Sequence, residues 1–146
     1  MAPTIPGGAL IRVLPAPAEG CRVGMVVVCL SEGGTLFAHR VVRRVQRGGQ
    51  EWLLTLGDGW RICDPPVPAS RVVGTVNAWR TDCDWIAPVA APTRRGVAAV
   101  LARSSTALVA ATLHLHPQVA RRVAGTGLTL EAWLKSAWRH WSRLRP

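Results

Sequence analysis

Tyrosine is absent from this chain, phenylalanine occurs once, and Lys135 is the only lysine among eighteen basic residues. A Ser-Lys catalytic dyad needs a desolvated lysine beside its serine, and Lys135, far toward the C-terminus, is poorly placed for that. The four cysteines (Cys21, Cys29, Cys63 and Cys83) contain no Cys-x-x-Cys pair and no histidine at matching spacing. That excludes a standard zinc site, so no metal and no cofactor is expected. Scattered cysteines of this kind are expected to be reduced, part-buried small residues, which suits a cytoplasmic setting. No uncharged apolar run reaches the roughly 18 residues of a membrane span. The best candidate, Val97 to Leu115, is interrupted by Arg103, Ser104 and Ser105 and meets His114 and His116. No basic-apolar-small N-terminal signal is present either.

What is there begins with an apolar majority. Of 146 residues 49% are hydrophobic and 18% charged, which indicates one folded domain with its own core rather than a disordered chain. The net charge of +10, nearly all from arginine, leaves two readings open. One is an Arg-rich surface that keeps the protein soluble; the other is attraction to nucleic acid or an anionic membrane surface.

Residues 1 to about 80 read as strands and turns, an antiparallel sheet over about 8–77. Short β runs are expected at 9–14, 24–30, 35–45, 51–56 and 71–76, with Gly33-Gly34 and Gly48-Gly49 as hairpin turns. The Pro65-Pro66-Val67-Pro68 stretch is excluded from a central strand and reads as loop. A loop at 81–93 leads to a C-terminal helical extension at 94–146. There an Ala-rich helix runs to about Leu113, and Gly125 and Gly127 punctuate the chain. Thr129 is placed to cap a last helix over 130–144. That helix carries Leu130, Trp133, Leu134, Ala137, Trp138, Trp141 and Leu144 on one face and Lys135, Arg139, His140 and Arg143 on the other. Packing on its own domain, peripheral membrane contact and a partner groove are all compatible with such a stripe. The expected fold class is α+β: a coiled, mostly antiparallel sheet followed by C-terminal helices.

Three sequence blocks carry chemistry when taken together. They are Met1-Ala2-Pro3-Thr4, then Ala38-His39-Arg40-Val41-Val42, then Leu56-Gly57-Asp58 with Asp64 six residues after Asp58. In this order the blocks resemble the type I signal peptidases, in the clan that also holds the self-cleaving repressors. The match covers about residues 1–77. A histidine stands where the lysine of the Ser-Lys members would fall, so the resemblance is to the Ser-His subgroup of archaeal and endoplasmic-reticulum type. It implies a serine endopeptidase with His39 as base, Asp64 as the carboxylate orienting it, and Asp58 as a supporting carboxylate. It also implies that the nucleophilic serine stands directly before Met1, outside an N-terminally truncated chain. The implied substrate is an extended peptide or protein segment, laid as a strand beside Met1–Ile5 and Met25–Leu30 with contacts to Met1, Pro3 and Val27.

The residues alone permit plainer roles. A lone histidine in an apolar strand is usually a hydrogen-bonded core residue, and Asp58 and Asp64 both occupy natural turn positions. Ser31, Ser70, Ser104, Ser105, Ser136 and Ser142 fall outside the matching blocks and are not candidates for the nucleophile. Two other functions stay open: a hydrolytically dead peptidase fold that binds peptides or a protein, and an Arg-rich module for nucleic acid or a membrane surface. Nucleic acid is the least expected partner, and the sequence leaves the oligomeric state undetermined.

Overall fold

The computed structural model describes residues 4–88 and 96–143, side chains of 137–143 excepted. Its framework is a six-stranded antiparallel sheet followed by two helices. The strands are β1 (Leu10–Pro15), β2 (Val26–Leu30), β3 (Leu36–Arg47), β4 (Gln50–Leu56), β5 (Val67–Pro68) and β6 (Val72–Arg80). They lie in the order β1-β6-β2-β3-β4-β5. The helices are α1 (Gly96–Leu115) and α2 (Pro117–Arg143).

Period-2 alternation assigns the side chains of β2 and β3 to two faces. Val26 and Val28 join Ile5 and Val76 in one apolar cluster, with Ala38 packed against it. Val27, Cys29 and Val41 join Cys21, Leu53 and Val67 in another, flanked by Phe37. His39 follows Phe37 at the strand period and is cross-paired with Val27, so it belongs to this second face. A third cluster joins sheet and helices: Val45, Trp52, Leu54 and Cys63 meet Val109, Ala110, Leu113, Ala120 and Ala124. The C-terminal extension therefore shares a core with β3 and β4.

The structure corrects two expectations and adds one property of α1. The Pro-rich stretch does contain a strand, since Val67 and Pro68 pair with Leu53 and Trp52. It lies at the edge of the sheet, where proline's missing N–H costs no ladder bond. Gly125 and Gly127 do not break the C-terminal helix, which runs unbroken from Pro117 to Arg143. Each glycine costs a helix about 1 kcal/mol against alanine, but Gly127 admits close packing. A Cβ there would stand 2.7 Å from Ile62 Cγ2. Thr129 accordingly caps nothing and donates its hydroxyl to the Gly125 carbonyl one turn back, at 3.0 Å. Finally, α1 is long and apolar enough to cross a membrane, with 20 residues and a mean hydropathy of 1.5. A single Arg103 does not pull the average below that of a span. Here its Ala102, Val109, Ala110 and Leu113 are buried.

The α1–α2 junction falls at His116, between Leu115 and Pro117. Arg47, at the end of β3, donates to the His114 and Leu115 carbonyls at 3.2 and 2.9 Å, satisfying two acceptors that a helix C-terminus leaves unpaired. Pro117 opens α2 at the position that tolerates proline best, and the His116 ring accepts the Gln118 N–H at 3.2 Å.

Candidate active site

The site is built where β3, the end of β4 and the loop after β4 converge. Strand β3 directs His39 out of the second apolar face, with its side chain 20% exposed. Phe37, two residues before it, meets the imidazole edge-on at 5.3 Å between ring centroids and limits its rotation. Asp64 returns to the same place 25 residues later. Its Oδ2 lies 2.6 Å from His39 Nδ1, accepts the Thr55 hydroxyl at 2.8 Å, and belongs to a buried residue. The Asp64 N–H donates to the Thr55 carbonyl at 2.9 Å. Thr55 thus grips the aspartate from both backbone and side chain, and is itself fully buried.

An ionised carboxylate can only accept hydrogen bonds. Asp64 therefore fixes the proton on Nδ1 and leaves the lone pair on Nε2, the tautomer a general base requires. The ring sits closely over Gly57: a Cβ at that position would stand 2.9 Å from Nε2 and 2.6 Å from Trp60 Cδ1. Gly57 to Trp60 form a turn closed by the Trp60 N–H on the Gly57 carbonyl at 2.9 Å. His39 and Asp64 both line an open cavity of about 350 Å³. Its walls include Phe37, Pro65, Pro66 and Val67, with Arg71 and Arg121 adding positive charge. Arg121, from α2, forms an ion pair with Glu32, which also lines the cavity.

The structure thus brings together His39 and Asp64 and treats the other proposed residues differently. Among the described residues, the Asp58 carboxylate is engaged by Arg40 and not by His39. Arg40 Nε donates to Oδ1 at 2.9 Å and Nη2 to Oδ2 at 2.8 Å, with both side chains buried. Arg40 Nη1 also donates to the Gly24 carbonyl at 2.6 Å. The "His-Arg" and "Gly-Asp" blocks are therefore joined twice, once by the histidine and once by the arginine beside it. Val27 is fully buried in the core, so its side chain cannot contact a substrate. β2 pairs with β3 on one side and β6 on the other, which removes the edge on which a peptide was expected to add. Met1 and Pro3, and with them the expected closeness of Met1 to His39, lie outside the described residues.

Ser31 also lines the cavity but is no nucleophile. Val27 is the residue opposite His39, and Ser31 lies four residues further along the strand direction, about 13 Å at 3.3 Å per residue. The four cysteines are free, three buried and Cys83 exposed. Burial pushes the Cys29 and Cys63 thiols up to about 12 and raises that of Cys21. Sequence reasoning missed Thr55, whose placement on the second face was implied by strand alternation. It also missed Glu131 and Lys135, which nothing local linked to the loop they hold. No protein-family model, curated protein or solved structure matches this chain.

Proposed function

We propose that the chain carries the base and the orienting acid of a signal-peptidase-like Ser-His endopeptidase acting on extended peptides. The observation that supports this best is the hydrogen bond between His39 Nδ1 and Asp64 Oδ2, at 2.6 Å and on the wall of an open cavity. A structural histidine needs a partner, but it does not need a buried carboxylate on one ring nitrogen and a place on a cavity wall with its side chain 20% exposed. In this reading Nε2 removes the proton of a serine hydroxyl as the oxygen attacks the peptide carbonyl. Asp64 stabilises the resulting imidazolium, and the same proton passes to the departing amine. Water then hydrolyses the acyl-serine by the reverse use of His39. Asp58 serves the site by fixing the Gly57–Trp60 turn to Arg40.

The resemblance places the serine directly before Met1. Two experiments test the reading. The codon upstream of Met1 should encode serine in frame; a stop or any other residue there overturns this version. The chain bearing that serine should be labelled by a serine-directed phosphonate in the wild type and not in His39→Ala. Equal labelling of both removes His39 from the base role.

A further inference from the structure

The loop that delivers Asp64 is held from outside the sheet. Among the described residues, several of its backbone polar groups find partners on the two helices. Glu131, buried on α2, accepts the Arg61 N–H on both carboxylate oxygens at 2.9 Å and the Ile62 N–H on Oε2 at 2.9 Å. Lys135, one helical turn on, donates to the Gly59 carbonyl at 2.7 Å and pairs with Glu131 at 2.9 Å. Its ammonium also lies 3.8 Å from the centroid of the Trp60 ring, a cation–π contact. Ser105 of α1 accepts the Cys63 N–H at 3.1 Å. Gly127 lets α2 close on Ile62. The loop meets the sheet where Asp58 pairs with Arg40 and again at its end, where Cys63 and Asp64 both contact Thr55.

We propose that Glu131 and Lys135 form a positioning clamp through which α2 sets the Gly57–Asp64 loop, and with it the geometry of His39. The route is continuous. Lys135 seats the Trp60 indole, and Trp60 and the His39 imidazole both stand within 3 Å of the point a Gly57 Cβ would occupy. Glu131 fixes the backbone two and three residues before Asp64. A buried glutamate that accepts three contacts from one loop loses heavily if that loop moves, because both backbone donors are then gone and only Lys135 on its own helix remains to balance its charge. The only lysine of the chain is thus a support and not a base. The proposal rests on the peptidase reading for its catalytic meaning, but its geometric content stands without it.

The test uses the chain as it is, with nuclear magnetic resonance of Glu131→Gln, Lys135→Met and the conservative Lys135→Arg. The clamp predicts amide exchange at Arg61 and Ile62 about 10- to 100-fold faster in Glu131→Gln, the range expected when hydrogen bonds to a charged acceptor are weakened. Amides of β2 and β3 should keep their protection. It further predicts that the His39 Nδ1 proton resonance shifts or broadens in Glu131→Gln and Lys135→Met and is largely restored in Lys135→Arg. Faster loop exchange with an unaltered His39 resonance would mean a purely structural brace and overturn the proposal, as would unchanged exchange. If the serine-bearing wild type cleaves no peptide, the peptidase reading fails while the clamp is still judged by these spectra. If it does cleave, the variants should lower kcat more than they raise KM.

Discussion

Replacing Asp58 by alanine gives the sharpest quantitative test of how the site is braced. The carboxylate forms two parallel hydrogen bonds with Arg40, and the side chains retain only 2% and 5% of their exposure. Alanine would leave a buried guanidinium that keeps, among the described residues, its hydrogen bond to the Gly24 carbonyl. Breaking a buried pair by removing one member costs about 3–5 kcal/mol, far more than a surface pair is worth. For a chain of 146 residues this corresponds to a fall in Tm of roughly 6–20 °C, at about 2–4 °C per kcal/mol. Typical total stabilities are about 5–15 kcal/mol, so folding should survive in the cold and fail early on heating. Urea unfolding followed by Trp fluorescence measures the change, with the m-value unaltered if the denatured state is unaffected. The double variant Arg40→Met/Asp58→Leu should recover much of the loss, because the uncompensated charge is gone. A loss under about 1 kcal/mol in Asp58→Ala would refute the reasoning, since it would mean that Arg40 finds water or another anion at no cost.

Other outcomes follow from the same contacts. Gly57→Ala should displace His39 or Trp60, because its Cβ would stand under 3 Å from both rings; we expect about 1–3 kcal/mol of destabilisation by overpacking and a changed Trp emission spectrum. Leu113→Ala should cost about 2–5 kcal/mol in the same urea assay, as Leu113 is fully buried between α1 and the sheet; a loss below 1 kcal/mol would show the helices to be a detachable extension. Cys29 and Cys63, with pKa values pushed from 9.0 up to about 12 by burial, should resist alkylation in the folded protein while exposed Cys83 reacts. Their stabilising effect is complete below about pH 9 and is lost as pH rises toward 12, because unfolded thiols then ionise and folded ones do not. Thermal unfolding across pH 8–11 should therefore show stability declining above pH 9, a decline that is reduced in Cys63→Ala relative to its own value at pH 8.

Much of the sheet was legible because β-branched runs such as Val26-Val27-Val28 and glycine turns such as Gly48-Gly49 are local signals. The partnership of His39 and Asp64 was legible only through the order and spacing of three motif blocks, since nothing local says that residues 25 apart will meet. Asp58 was misread for the same reason: a Gly-Asp turn beside a histidine block looks like a second acid. The block also contains Arg40, and a guanidinium matches a carboxylate bidentately in a way imidazole cannot. The glycines of α2 were taken as breaks because propensity is local, whereas the contact of Gly127 with Ile62 is tertiary. Lys135 was placed on the polar face of the last helix and Glu131 was not singled out, and only packing reveals the backbone groups they hold.

The central claim is that His39, oriented by Asp64, is the base for a serine placed just before Met1. It is tested most directly by kcat/KM for cleavage of an extended peptide library by the serine-bearing chain, with His39→Ala and Asp64→Asn measured beside it. The account predicts measurable turnover in the parent chain. It predicts a loss on the order of 10³–10⁶ in His39→Ala and about 10⁴ in Asp64→Asn, the scale seen when a Ser-His-Asp array loses its base or its correct tautomer. Folding of both variants is to be confirmed by circular dichroism. Turnover that survives Asp64→Asn within a factor of ten, or a correctly folded parent that binds peptides and cleaves none, would contradict it.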